Sequence, residues 1–267
     1  MTHTSMILNT TDTGTNRPVL VLIHGFPENN GLWREVTPLL EQDFRVICPD
    51  LPGAGESLYT GEKLRMEAMA HMLHATLEGK DISGKIVMAG HSMGGYAALA
   101  FAALFPEMLA GISLVHSSCS ADDDEKKKTR EKTVRLLKKG GKEVFVKEMV
   151  PGLFSDAVKQ AQPELISEQI ERALNMPAES MIHFYEAIMH RPDRCAILEQ
   201  AKFPVQFILG KEDSLIPVKS SMAQARLAPI SFVEVLNAGH MGMLETPQPV
   251  ANALREFAKY CYQKEAV

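Results

Sequence analysis

The stretch Lys85–Phe105, with the sequence KIVMAGHSMGGYAALAFAALF, decides the fold of this chain. It opens with Lys85–Ala89, an apolar run of the kind that is buried in a parallel sheet. It closes with YAALAFAALF, a run of small and apolar residues that predicts a helix ending at Pro106. The segment GHSMGG between them leaves room only for a tight turn, in which glycines remove the clashes that a Cβ atom would cause. We therefore predict a strand, a tight turn that carries Ser92, and a helix.

Strand and helix patterns alternate on both sides of this stretch, as they do in a doubly wound parallel sheet. Further buried strands are predicted at Pro18–His24, Phe44–Pro49, Gly111–His116, Pro204–Gly210 and Ser231–Leu236. Further helices are predicted at Asn29–Leu40, Leu64–Leu77, Pro217–Arg226 and Pro247–Tyr262. Between residues 120 and 200 the pattern predicts helices only. The predicted fold class is α/β, with residues 1–119 and 201–267 as the core and residues 120–200 as an inserted helical cap.

The predicted cap begins with a helix-start signal and a charged segment. Ser120, followed by Asp123 and Asp124, resembles an N-cap with acidic residues in the first turn. The segment Glu125–Lys139 is dense in both signs of charge, which usually marks a solvated helix face rather than a binding patch. A block of helices inserted between two strands of one sheet is interpreted as a lid and not as an independent domain.

Composition excludes several classes of protein. The chain has 267 residues, of which 45% are hydrophobic, and this suits one large domain with a substantial insertion. Its formal net charge of −5 argues against nucleic acid as a partner, because phosphate binding needs a basic face. No apolar run approaches the ~20 residues that span a bilayer, so no membrane association is expected.

The N-terminus and the cysteines both favour a cytoplasmic location. The first residues, MTHTSMILNTTDTG, contain neither the basic nor the apolar region of a signal peptide. The cysteines show no CxxC pair, so we expect neither a zinc site nor a disulfide framework. They are interpreted as small hydrophobic residues in a reducing compartment, and they lie at Cys48, Cys119, Cys195 and Cys261.

The predicted turn carries a candidate nucleophile. A strand, a G-x-S-x-G turn and a helix together lift a serine hydroxyl above the sheet, and the helix directs free N–H groups at the same place. A serine hydroxyl is a poor nucleophile until a base removes its proton, and a carboxylate must fix the tautomer of that base. Ser92 therefore needs a histidine and an acidic residue at the same end of the sheet.

Two loops that follow predicted strands supply these partners. His240 lies in the loop after the last strand, which overlooks the same sheet end as Ser92. Asp213 follows the strand that ends at Gly210, although by itself it could equally cap a helix ahead of Pro217. Glu212 is a nearby competitor, and Asp193 is a poorer one because it lies in the predicted cap.

Acyl transfer also needs hydrogen-bond donors for the oxyanion of the tetrahedral intermediate. One donor is predicted to be the backbone N–H of Met93, the residue after the nucleophile. The second is assigned to the backbone N–H of Phe26, in the loop after the first strand. His24 is interpreted as a structural anchor of that loop.

These motifs resemble the serine-nucleophile branch of the α/β-hydrolase superfamily. The matching segments are HGFP at 24–27, DLPGAGES at 50–57, GHSMGG at 90–95, G-x-x-D at 210–213 and AGH at 238–240, and the likeness covers residues 18–119 and 203–262. The chain order Ser92, Asp213, His240 is the order of this superfamily. The resemblance implies a mostly parallel sheet with a helical lid after the sixth strand. It also implies an N-terminal hairpin, for which Ser5–Thr15 leaves room only for a short one.

The nucleophile narrows the chemistry that the resemblance implies. Haloalkane dehalogenases and epoxide hydrolases of similar pattern carry aspartate where this chain has Ser92, so both activities are disfavoured. The expected activity is hydrolysis of a small carboxylic ester or lactone through an acyl-enzyme, by a monomer or homodimer that needs no metal and no organic cofactor. Alternatives are a C–C bond hydrolase, a hydroxynitrile-lyase-like enzyme with a cap lysine directed at Ser92, or a receptor of this fold that binds without turnover.

Substrate specificity is expected to come from the cap. Candidate pocket residues are His116, at the end of the strand that enters the cap, together with Phe154 and Tyr185. A mainly apolar pocket for a modest acyl or aryl group is the corresponding hypothesis. Its further lining candidates are Phe145, Met149, Met181, Phe184, Met189, Ser117 and Ser118.

Overall fold

The computed structural model describes residues 7–59, 61, 63–82 and 84–265. The expected N-terminal hairpin at Ser5–Thr15 lies partly outside these residues, and its described part holds one short strand, Thr10–Asp12. Positions 1–6, which belong to the segment interpreted as lacking a signal peptide, also lie outside them.

The described strands form one sheet whose order places the Ser92 turn near its centre. In chain order the strands are β1 (Thr10–Asp12), β2 (Val19–Ile23), β3 (Arg45–Pro49), β4 (Ile86–His91), β5 (Leu109–Val115), β6 (Val205–Gly210) and β7 (Ser231–Leu236). Their order across the sheet is β1-β3-β2-β4-β5-β6-β7. β1 pairs antiparallel with β3, and all other pairs are parallel. The predicted α/β fold with a mostly parallel sheet is confirmed.

Helices flank the sheet and connect its strands. Those of the core are α1 (Thr37–Leu40), α2 (Met66–Glu78), α3 (Met93–Leu104), α10 (Val218–Ala225), α11 (Gly242–Glu245) and α12 (Pro247–Glu265). The helices α4 (Asp124–Lys138), α5 (Lys142–Met149), α6 (Asp156–Ala161), α7 (Pro163–Leu174), α8 (Ala178–Met189) and α9 (Cys195–Glu199) lie between β5 and β6. None of the described helices combines the length and the apolar character needed to cross a membrane.

Two local predictions are corrected. The helix predicted at Asn29–Leu40 is broken, because Asn29 caps a short 3-10 helix and α1 begins separately at Thr37 with Pro38 in its first turn. The N-cap of α4 is Asp123 and not Ser120, since the Asp123 carboxylate accepts the Lys126 N–H at 2.8 Å. The helical insertion follows the fifth described strand, and the further strand that the resemblance implies before it belongs to the N-terminal hairpin, which lies partly outside the described residues.

A disulfide joins the two chain segments through which the insertion leaves and re-enters the core. Cys119, just after β5, forms a disulfide with Cys195, the first residue of α9, with their Cα atoms 4.9 Å apart. The Arg194 N–H also donates to the Cys119 carbonyl at 2.9 Å. The expectation that no cysteines are paired is therefore wrong, while Cys48 and Cys261 are free and buried as expected.

A buried carboxyl group joins the insertion to the loop after β2. Gln169 of α7 donates to Glu28 Oε2 at 2.5 Å, and both side chains are fully buried or nearly so. Burial raises the pKa of Glu28 to about 7, although Arg172 and the Gln169 hydrogen bond act in the opposite direction. Neither Glu28 Oε1 nor Gln169 Oε1 has a hydrogen-bond partner among the described residues. A proton on Glu28 Oε1 removes the buried charge of this carboxyl group and turns the oxygen into a donor.

The disulfide predicts the number of reactive thiols. Protein purified without reductant and then unfolded should react with a thiol reagent at two cysteines per chain, Cys48 and Cys261, and at four after reduction. Alkylation followed by peptide mass spectrometry identifies which pair is protected. Four reactive thiols before reduction would contradict the assignment.

The buried Glu28 predicts a pH-dependent stability. Its folded-state pKa of about 7 exceeds the reference value of 4.5, so the unfolded chain loses its proton first and stability falls as pH rises through this window. Glu28→Gln cannot ionise, and its amide carries a donor in place of one carboxyl oxygen. The unfolding free energy of the variant minus that of the native chain should increase by about 3 kcal/mol from about pH 4 to about pH 8. Urea unfolding across this range measures it, and a difference independent of pH would contradict the burial argument.

Candidate active site

The turn between β4 and α3 holds Ser92 in a strained backbone conformation. Its φ of 49° and ψ of −114° lie outside the regions that residues with a side chain favour. The Ser92 N–H donates to the Val115 carbonyl at 3.0 Å, and the Ser92 carbonyl accepts from the Gly95 N–H and the Ser117 hydroxyl at 2.9 and 2.7 Å. These hydrogen bonds to the neighbouring strand and helix hold the strained turn in place.

Close packing explains why glycines surround Ser92. A Cβ atom on Gly94 would lie 2.5 Å from the carbonyl oxygens of Ile23 and His24, so any side chain there would push α3 away from the end of β2. The glycines of the motif thus allow the nucleophile turn to lie directly on the neighbouring strand.

Asp213 and His240 meet beyond the ends of β6 and β7. The His240 Nδ1–H donates to Asp213 Oδ2 at 2.7 Å. Asp213 Oδ1 accepts the backbone N–H groups of Leu215 and Ile216 at 3.0 and 2.9 Å, so the carboxylate is fixed in orientation. Burial by itself would raise the pKa of Asp213, but the adjacent imidazoles of His240 and His116 lower it below its usual value. Asp213 is therefore an ionised acceptor that sets the tautomer of His240.

Ser92 and His240 line the same cavity, which has a volume of about 640 Å³. The predicted competitors of Asp213 lie elsewhere, since the Glu212 carboxylate accepts the Asp156 N–H and the Asp193 carboxylate accepts the Cys195 N–H. The structure thus brings Asp213 and His240 into contact and places His240 with Ser92 around one cavity.

The two residues whose backbone N–H groups are the predicted oxyanion donors lie on α3 and in the loop after β2. Met93 is the first residue of α3, and Phe26, in the loop after β2, lines the cavity. His24 anchors this loop as predicted: its Nδ1–H donates to the Gly25 carbonyl at 2.8 Å, and its Nε2 accepts the Leu51 N–H at 2.9 Å. Burial lowers the pKa of His24 to about 4, in keeping with a neutral ring that both donates and accepts.

His116 belongs to the Asp213 side of the site and not to the substrate pocket. It is fully buried and does not line the cavity, and its Nδ1–H donates to the same Asp213 Oδ2 atom at 3.1 Å. Burial lowers the pKa of this histidine, so it serves as a neutral donor. The prediction that His116 lines the pocket is therefore corrected. The pairing of β5 with β6 brings together the strand ends that His116 and Asp213 follow. The sequence alone predicts no order of strands across the sheet and so could not show this.

Three groups in the described part of the chain have ligand atoms close enough to hold a metal ion. His116, Asp213 and His240 place these atoms within 4.8 Å of one another. Both imidazoles already direct an N–H at one carboxylate oxygen, however, so the arrangement suits hydrogen bonding rather than coordination.

The walls of the cavity are more polar than predicted. Tyr185 lines it, but Phe154 does not and is buried beside the loop that carries His240. The charged face of α4, predicted to be solvated, supplies part of the wall. Most of its lining residues recur three or four positions apart, as one helix face requires, and they are Glu125, Lys126, Thr129, Arg130 and Thr133.

A sequence model of the alpha/beta hydrolase family matches residues 20–253. The chain belongs to this family. The resemblance inferred from the motifs is confirmed, and the protein is a hydrolase of the α/β family.

Known relatives of this α/β hydrolase include several hydrolases. A thermophilic esterase from Thermogutta terrifontis, solved with malate bound, is 35% identical and has a TM-score of 0.90 over 95% of this chain and 93% of its own. The 2-hydroxy-6-oxo-6-(2'-aminophenyl)hexa-2,4-dienoic acid hydrolase of Metapseudomonas resinovorans is 25% identical over 92% of this chain and 85% of its own length. Monoacylglycerol lipase ABHD6 of Bos taurus is 26% identical over 91% of this chain and 75% of its own length.

The close packing at Gly94 predicts a large effect of one added methyl group. Gly94→Ala should lower the unfolding free energy by about 3 kcal/mol, because the atoms it meets are backbone and cannot rotate away. Gly152→Ala is the matched control, since a Cβ there meets no atom within 4 Å and should leave stability nearly unchanged. Urea unfolding of both variants measures the difference. Equal effects would show that the turn does not pack on β2 as described.

Proposed function

We propose that this α/β hydrolase cleaves small carboxylic esters or lactones through an acyl-enzyme on Ser92. The observation that carries the proposal is the Asp213–His240 hydrogen bond of 2.7 Å beside a cavity that Ser92 also lines. Because Asp213 holds the proton of His240 on Nδ1, the Nε2 atom is left as the base for the serine hydroxyl.

The proposed reaction proceeds in two halves. His240 Nε2 takes the Ser92 proton as the oxygen attacks the ester carbonyl, and the backbone N–H groups of Met93 and Phe26 stabilise the oxyanion. His240 then donates that proton to the departing alcohol, which leaves an acyl group on Ser92. Water, deprotonated by His240, attacks the acyl group, and His240 returns that proton to the Ser92 oxygen as its bond to the acyl carbon breaks and the carboxylic acid is released. Neither half needs a metal or an organic cofactor.

The helical insertion is proposed to act as the cap over this site. Met149 and Leu153, at the end of α5 and just after it, line the cavity, and the Leu153 carbonyl accepts the His240 N–H at 2.7 Å. The insertion therefore contacts the loop that carries His240 and supplies part of the lining of the proposed substrate pocket. We propose that residues 120–200 determine which substrates enter it.

A second candidate is cleavage of a carbon–carbon bond, which the relative from Metapseudomonas resinovorans supports. The same Ser92, Asp213 and His240 would carry it, so substrate trials must distinguish it from ester hydrolysis. A hydroxynitrile-lyase-like reaction would require a lysine of the insertion directed at Ser92. Lys126 lines the cavity, but its side chain is exposed, which does not favour this reaction.

Active-site labelling tests the proposed nucleophile. A fluorophosphonate should label the native protein at one site per chain, and Ser92→Ala should abolish the labelling, as mass spectrometry of the intact protein and its peptides reports. p-Nitrophenyl acetate should be turned over many times per chain, and Asp213→Asn should lower kcat on the order of 10,000-fold because His240 takes the wrong tautomer.

The outcomes separate an enzyme from a receptor of the same fold. A single burst without further cycles would favour a binding role. Labelling that persists in Ser92→Ala, or no labelling of the native protein, would overturn the proposal that Ser92 is an activated nucleophile.

A further inference from the structure

Two arginines share one buried carboxylate in the wall of the cavity. Arg130 Nε donates to Asp122 Oδ2 at 2.5 Å, and Arg191 Nη1 lies 3.0 Å from Asp122 Oδ1. Asp122 and Arg191 are buried, with 4% and 8% of their surface exposed. Two guanidinium groups against one carboxylate leave this cluster with an excess of one positive charge, held where solvent screens it poorly.

The cluster lies beside the elements that form the reaction site. The Arg191 guanidinium carbon is 3.9 Å from the ring centre of Tyr96, which follows Ser92 by one helical turn and so shares its side of α3. The Arg130 guanidinium carbon is 5.3 Å from the ring centre of Tyr185, which in turn lies 4.8 Å from that of Phe26. Aromatic rings thus connect the two arginines both to α3, which follows Ser92, and to the loop after β2 that contains Phe26.

The two arginines differ in how many of their donors are used. Arg191 gives Nη1–H to the Ile188 carbonyl at 2.8 Å and Nη2–H to the Ser120 carbonyl at 2.9 Å, so it is fixed in place. Its buried Nε has no partner among the described residues. For Arg130 the hydrogen bonds within the described chain involve only Nε, so both Nη groups remain available. The side chain of Arg130 is 23% exposed and lines the cavity.

A carboxylate matches the two available Nη groups of Arg130 in charge and in shape. The planar guanidinium presents parallel N–H groups that match the two oxygens of a carboxylate, and such charge-assisted pairs are stronger than neutral hydrogen bonds. The other charged residues that line the cavity are exposed, so water screens them more strongly, and they are Asp123, Glu125 and Lys126. The net attraction inside the cavity is therefore for an anion near Arg130.

We propose that Arg130, oriented by Asp122 beside Arg191, binds a carboxylate of the substrate. The preferred substrates are then esters or lactones that carry a second, ionised carboxyl group. This inference rests on the proposed hydrolysis at Ser92 and narrows its substrate class.

Matched pairs of esters test the inference. Monoethyl adipate and ethyl hexanoate differ by a carboxylate on the acyl side, and 4-acetoxybenzoate and phenyl acetate differ by a carboxylate on the leaving group. In at least one pair the native protein should favour the anionic ester. Arg130→Gln should lower kcat/KM for that ester by about 10- to 100-fold, mainly through KM, since it removes a charged hydrogen bond. Its effect on the neutral partner should stay within about 3-fold, the ordinary scatter of a substitution that makes no contact with the substrate.

Two further variants separate charge from geometry. Arg130→Lys keeps the charge but loses the two-pronged donor, so it should recover only part of the preference for the anionic ester. Lys128→Gln removes an exposed cation of α4 that does not line the cavity and should leave the preference unchanged. Retained turnover of the neutral esters shows that each variant is folded and that the Ser92 machinery works.

A binding measurement keeps the inference separate from the proposed activity. Calorimetry should show that adipate binds to the Ser92→Ala variant. The double variant Ser92→Ala/Arg130→Gln should bind it about 10-fold more weakly or worse. If neutral and anionic esters are all inert but adipate binds through Arg130, the proposed hydrolysis fails and the carboxylate site stands. If esters are hydrolysed without preference, or if Arg130→Gln affects both members of a pair equally, the carboxylate site is overturned.

Discussion

The contact of the Ser92 turn with the end of β2 is the constraint on which the rest of the site depends. Gly94 lies so close to the carbonyls of Ile23 and His24 that α3 can leave the sheet only along one path. This path places Ser92 above the carboxyl ends of the parallel strands, where β6 and β7 also release the loops with Asp213 and His240. The positive φ of Ser92 costs free energy locally, and the packing and hydrogen bonds around the turn offset that cost.

A second layer of interactions keeps the charged and titratable groups near Ser92 in defined states. Asp213 accepts hydrogen bonds on both oxygens, two of them from histidines and two from backbone. His91 extends this layer, since its Nε2–H donates to the His240 carbonyl at 3.0 Å and burial lowers the pKa of the ring. The loop that carries His240 is thereby held on the side of the Ser92 turn by His91 and on the side of the insertion by the Leu153 carbonyl. Rigid support of this kind is what an acid–base pair needs to act without reorganisation.

The sheet and the candidate Ser92, Asp213 and His240 grouping could be predicted from sequence because both depend on local signals. Apolar runs identify buried strands, and the loops that follow parallel strands gather at one edge. The Cys119–Cys195 disulfide was missed because its partners are 76 residues apart, with the insertion between them. Arg130 was missed for another reason: its helix is charged along its whole length, and only the packed structure shows that one face of α4 meets the cavity. Glu28 illustrates the same limit, since nothing in its neighbourhood along the chain indicates that Gln169 will cover it.

The disulfide at the neck of the insertion has a consequence for how such a protein can change over evolutionary time. Because Cys119 and Cys195 bring the two chain crossings to a Cα separation of 4.9 Å, the insertion is covalently a closed loop whose two connections to the core lie side by side. A loop whose ends already meet can be lengthened, shortened or replaced at little cost to the sheet beneath it. The strands that hold Ser92 and its partners can therefore stay constant while the helices above them are exchanged. The architecture thus separates the residues proposed to perform the chemistry from the insertion proposed to select the substrate.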